Sequence, residues 1–166
     1  DTSDMEAMER AMRIYNGKPL INSVNGKEES MTRVFPLMAK YGGVAVGLCL
    51  DESGIPDTAE GRLAVGRKII DRAAEYGIGP EDIILDGLCM TVSSDSKGAL
   101  TTLETLRRIR DELGVGTVLG VSNISFGLPP EGNHQCRVLY HGNGMRAGSR
   151  HHKPQLRGHD ACLLQL

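Results

Sequence analysis

The sequence predicts an α/β fold built on a parallel sheet. Two observations predict it. Short apolar runs recur at intervals of roughly 25–40 residues, with one helix-period segment between each pair. The runs are dense in Val, Ile, Leu and Ala, as buried parallel strands require. Two architectures satisfy this pattern: an open doubly wound sheet and a (β/α)8 barrel. Periodicity does not choose between them. No G-x-G-x-x-G and no P-loop follows any run, which lowers the dinucleotide-binding reading.

The elements follow in order. Ser3-Asp4-Met5-Glu6 fits a capping box, so a helix starts near Asp4. Met5, Met8, Met12 and Tyr15 share one face of it, and Gly17 ends it. Pro19–Val24 reads as a buried strand. Glu28–Tyr41 is helical by period through Met31, Val34, Phe35 and Met38; Pro36 inside it predicts a kink. Gly42-Gly43 closes that helix and Val44–Leu50 is the next strand. Asp51–Pro56 is a polar loop. Thr58–Tyr76 is a long helix carrying Leu63, Ile69, Ile70 and Ala73. Gly77–Pro80 breaks it before the short strand Ile83–Leu85. Thr101-x-x-Glu104 is a second capping box, with Leu103, Leu106, Ile109 and Leu113 on one face of its helix. Gly114 caps this helix, and Thr117–Val121 is the last clear strand.

The chain has 166 residues, 40% hydrophobic and 24% charged, which suits one domain or part of a larger one. No apolar run approaches the ~18 residues that span a bilayer. No basic-then-apolar segment follows Asp1, so a cytoplasmic location is expected, with no membrane partner. The net charge of −2 argues against a nucleic-acid partner. That charge is unevenly placed. Residues 1–131 hold 14 Lys+Arg, 20 Asp+Glu and no His; residues 132–166 hold 5 Lys+Arg, one acid and all five His. A break this abrupt marks a boundary. Cys49, Cys89, Cys136 and Cys162 form no C-x-x-C pair and read as reduced thiols.

Polar residues stand where strands end. Asp1 precedes the first helix, Asn22 lies within its strand, and Asp51, Asp86 and Ser122-Asn123 follow theirs. Ligands of parallel α/β folds bind outside these carboxyl ends. Asp and Asn also cap helices, and for Asp51 that simpler role is favoured. It is weaker for Asn22, an amide inside an apolar strand, and for Asp86, which is far from the next helix. Carboxylates accept hydrogen bonds and amides both donate and accept, so the set suits a flat heterocycle with N–H, amino and carbonyl groups. With no His in residues 1–131, His-based nucleophilic catalysis has no support. A metal site built from these few carboxylates is a weak option, and none is expected.

Four segments carry a resemblance: Pro19–Lys27 (PLINSVNGK), Val46–Pro56 (VGLCLDESGIP), Pro80–Asp86 (PEDIILD) and Thr117–Phe126 (TVLGVSNISF). Together they resemble the pterin-binding methyltransferase family, over Asp1 to about Glu131. They are most similar to the methyltetrahydrofolate-binding domain of cobalamin-dependent methionine synthases. Methyltetrahydrofolate:corrinoid iron-sulfur protein methyltransferases are similar too. The resemblance implies a partial (β/α)8 TIM barrel of the dihydropteroate synthase-like type, without the early strands and the last one. It implies that Asp1, Asn22 and Asp86 hold the pterin ring. Gly120, Ser122 and Asn123 match the family's Gly-x-Ser-Asn turn, in which the Asn contacts the methyl-bearing ring nitrogen. The family commonly has Asp-Pro where this chain has Asp86-Gly87, which implies a looser loop with the same carboxylate. The implied reaction moves the methyl group of methyltetrahydrofolate to reduced cobalamin, carried by another domain or by a corrinoid protein. A partial barrel leaves two open sheet edges, so the chain alone is expected to be inactive.

Residues 132–166 do not resemble the family and are expected to be a frameshifted or disordered tail. His134, Cys136, His141, His151, His152, His159 and Cys162 raise a metal-binding alternative, but no zinc-finger spacing is present. Two other readings compete with the methyltransferase. Dihydropteroate synthase shares the barrel and pterin site, but no Ser-Arg-type segment lies near a last strand. The other is a non-catalytic chain: a binding-defective fragment, or a small metal- or nucleic-acid-binding protein acting through its tail.

Overall fold

Asp4 has an extended backbone, and its carboxylate accepts the N–H groups of Glu6 and Ala7. Helix α1 (Met5–Ile14) therefore starts where the cap motif places it, with Asp4 rather than Ser3 as the cap. The structure, a computed structural model, describes residues 2–91, 98–120 and 123. Met8 and Met12 are buried, but Tyr15 lies past the end of α1 and is 59% exposed, against the expected face. The helical period stops one residue before it reaches Tyr15.

Strand β1 (Leu20–Asn25) follows, then α2 (Glu28–Tyr41). Glu28 and Glu29 in the first turn and Lys40 in the last both complement the α2 dipole. The helix continues through the exposed Pro36 to Tyr41. Strand β2 (Val44–Leu48) is two residues shorter than expected. Thr58 caps α3 (Ala59–Glu75) by accepting the Gly61 N–H at 3.1 Å. A 3₁₀ turn over Pro80–Asp82 leads into β3 (Ile83–Asp86). Helix α4 (Gly98–Arg108) is already under way at Gly98, so Thr101 stands inside it and is not its cap. A π-helical turn over Ile109–Leu113 extends α4 and ends at Gly114, whose φ of +67° suits glycine. Strand β4 (Gly116–Val118) starts one residue early, and Val121 lies outside the described residues.

The four strands are parallel and lie in the order β1-β2-β3-β4. A doubly wound sheet reverses its strand order at a switch point; a barrel keeps it. The sequential order, with no reversal among the described strands, is that of a partial (β/α)8 barrel. One face of the sheet carries Ile21, Val24, Ala45, Ile83 and Leu85 into a core with Phe35, Leu63 and Ile69 of the helices. Leu20 lies on the other face and is 50% exposed, which corrects the expectation of a wholly buried strand. Among the described residues no helix is long and apolar enough to cross a membrane.

Candidate functional site

The side of β1 that Asn22 occupies depends on an irregularity. Asn22 pairs with Val46, but the next pairs are Val24 with Gly47 and Asn25 with Leu48. One extra residue in β1 shifts the alternation, so Asn22 and Asn25, three positions apart, share the face turned from the helices. The register then runs from Asn22 to Val46 to Ile84, and from Asn25 to Leu48 to Asp86. Neighbours in register share a face, so Asn22, Asn25 and Asp86 lie on one side of the sheet. Asn22 is one pleat deeper than Asp86 and two strands away, about 10 Å laterally at ordinary strand spacing.

Asp86 is half-buried at the carboxyl end of β3. Its Oδ1 accepts the Leu88 N–H at 2.8 Å, and its carboxylate also accepts the Gly120 N–H. Burial pushes the carboxyl above its usual range, and the two N–H donors oppose that rise. An ionised carboxylate offers about four lone-pair sites. Two donors leave capacity for a ligand edge that carries N–H groups.

Gly120 connects this carboxylate to Asn123. The Asn123 N–H donates to the Gly120 carbonyl at 3.3 Å, and Asn123 is exposed. A Cβ on Gly120 would lie 3.3 Å from the Asn123 side-chain nitrogen, so the amide lies over the glycine. Asp86, Gly120 and Asn123 thus form one cluster beyond β3 and β4. Asn22 instead lines a cavity of about 330 Å3 with Ser23, Asn25, Thr2 and Ser3, and neither Asp86 nor Asn123 lines it. Asp1 and Ser122 lie outside the described residues, as do all five His, Cys136 and Cys162.

Asp51 does not cap α3, against expectation. Its carboxylate accepts the Ser53 N–H at 2.8 Å, and its backbone pairs with Gly54, so it closes its own turn. Cys49 and Cys89 are buried free thiols. Burial pushes the Cys49 thiol up to about 12.

Sequence reading passed over two residues. Asn25 lies in the Asp86 row; its side chain accepts the Lys27 N–H at 3.0 Å. Arg62, 2% exposed on α3, binds the backbone just beyond Asp86. Its helical spacing to Ala59, Gly66 and Ile69 on the buried face was the available signal.

A family described as pterin binding enzyme matches residues 1–149. The match runs past Glu131, where the expected boundary lies. The chain is 28% identical over 151 residues to methionine synthase of Mycobacterium leprae (strain TN), covering 84% of this chain and 12% of that protein. It is 29% identical over 141 residues to methionine synthase of Mycobacterium tuberculosis (strain ATCC 25618 / H37Rv), covering 78% and 12%. It is 28% identical over 134 residues to methylcorrinoid:tetrahydrofolate methyltransferase of Eubacterium limosum, covering 78% and 49%. The chain thus spans about an eighth of the two synthases and about half of the third relative.

Proposed function

Because this chain belongs to the pterin-binding enzyme family, we propose that it supplies part of a methyltetrahydrofolate site used for methyl transfer to a corrinoid, as in methionine synthesis. Residues 1–131 are the pterin-binding part in this reading, and 132–166 lie outside it. Asp1, Asn22 and Asp86 hold the pterin, Gly120 and Ser122 shape the turn, and Asn123 is the catalytic residue. Reduced cobalamin on another domain or a corrinoid protein takes the methyl group. A cytoplasmic location belongs to the same reading.

The observation that carries the proposal is the Asp86–Gly120–Asn123 cluster, whose Asp86 shares a sheet face with Asn22. Asp86 accepts from pterin N–H and amino groups and fixes the ring's orientation. The transferred methyl leaves its bonding electrons on the ring nitrogen, which must gain a proton or a hydrogen bond. The Asn123 amide stabilises that change by a preorganised polar contact. The same residues serve transfer in either direction. The name of the Eubacterium limosum relative describes a methylcorrinoid donor.

The test is methyltetrahydrofolate titration and transfer to free cob(I)alamin, with the flanking barrel strands of a relative supplied. Asn123→Ala should lower the transfer rate by about 10²–10³. It should weaken folate binding by less than about tenfold. Equal losses in rate and binding would contradict the catalytic assignment.

A further inference from the structure

The least expected side chain of this barrel segment is a buried arginine. Arg62 is 2% exposed, and nothing about pterin binding by itself calls for it. Its Nε donates to the Pro56 carbonyl at 2.8 Å. Its Nη1 lies 2.9 Å from both the Gly87 and Leu88 carbonyls and 3.3 Å from the Thr102 hydroxyl. One guanidinium therefore joins three segments: the loop before α3, the loop after β3, and α4. Such a fork suits several fixed acceptors in a way that a lysine ammonium does not.

The second observation is Leu88. Its φ is +59°, the left-handed region that a branched side chain seldom adopts. Both its polar backbone groups are held. The carbonyl accepts from Arg62, and the N–H donates to Asp86 Oδ1 at 2.8 Å. The Thr102 hydroxyl also lies 3.2 Å from that carbonyl and 2.8 Å from the Gly98 carbonyl.

We propose that Arg62 is a positioning residue: its buried guanidinium holds the Gly87–Leu88 backbone so that the Leu88 N–H stays aimed at the Asp86 carboxylate. This rests on the reading of Asp86 as a pterin-holding group. Gly87 has no side chain to restrict this loop, and Arg62 braces it from α3 through the Gly87 and Leu88 carbonyls. Replacing a merely structural arginine would lower global stability and leave the Asp86 environment unchanged.

The experiment uses the whole 166-residue chain. The Asp86 side-chain carboxyl is titrated by carbon NMR, and Leu88 amide exchange is followed beside the β2 amides. The other titratable groups near Asp86 are the Cys49 and Cys89 thiols, kept protonated by burial, and Arg62 itself. Arg62→Lys keeps the charge and loses the fork. It should raise the Asp86 midpoint, because burial is then less opposed by the Leu88 N–H. It should also speed Leu88 exchange about tenfold relative to β2. Thr102→Val, which keeps Arg62, should shift both readouts in the same direction by less. If Arg62→Lys does not fold, Thr102→Val decides alone. Unchanged Asp86 titration and Leu88 exchange in a folded variant would overturn the proposal. If both shift while methyltetrahydrofolate affinity, measured in the strand-completed barrel, stays the same, positioning stands and the pterin role of Asp86 fails.

Discussion

At the scale of single residues, two carboxylates respond to pH in opposite ways. Burial raises the Asp86 carboxyl, so the folded state holds its proton more tightly than the unfolded chain does. Stability from this group is greatest in acid and falls as pH rises from the ordinary aspartate range through the raised folded value. Asp86→Asn should remove that decline in a Tm-versus-pH series while weakening folate binding; a decline of unchanged slope would place the titration elsewhere. Glu9 is the reverse case. The Tyr41 hydroxyl, 2.7 Å away, and then Lys40 hold it down at about 2. Its contribution is complete above the ordinary glutamate range and is lost as pH falls towards that value. Tyr41→Phe should move the acid unfolding midpoint upwards, as read by circular dichroism.

At the scale of elements, close approach decides more than propensity. Gly26 begins the turn from β1 to α2, and its N–H donates to the Leu50 carbonyl at 2.8 Å. A Cβ there would lie 2.9 Å from that carbonyl oxygen and 2.6 Å from Val65 Cγ1. Backbone cannot yield as a side chain does, so Gly26→Ala should cost about 1–3 kcal/mol in denaturant melts. Thr58→Ala should cost about 1 kcal/mol through loss of the α3 cap. The elements themselves were largely legible. The α2 limits of Glu28 and Tyr41 follow from an apolar period closed by Gly42-Gly43. The start of α4 was not legible, because Thr101 and Glu104 mimic a cap while the helix already includes Gly98. A capping box is a local pattern, and a helix already under way before it absorbs it.

At the scale of the whole molecule, strand order controls local stability. Among the described residues β2 and β3 have hydrogen-bonded neighbours on both sides, and β1 and β4 on one. Native-state hydrogen exchange should find the β2 amides opening only with global unfolding, and those of the three-residue β4 at lower free energy. Equal protection in both would contradict this gradient. The candidate site follows the same geography. It sits beyond strand ends, where Asp86 and Gly120 meet although they are far apart in the chain.

The sequence by itself determined the alternation of strands and helices, the apolar faces of α2 and α3, and the polar residues at strand ends. These are local periodicities, set within a few turns of chain. Only the tertiary structure decided the rest. One extra residue in β1 put Asn22 and Asn25 on the same face, and the four strands paired in chain order, as in a partial barrel. Arg62 found its acceptors on a loop some twenty-five positions away. Each outcome depends on which distant backbone groups come within hydrogen-bonding reach, and no window along the chain contains that information.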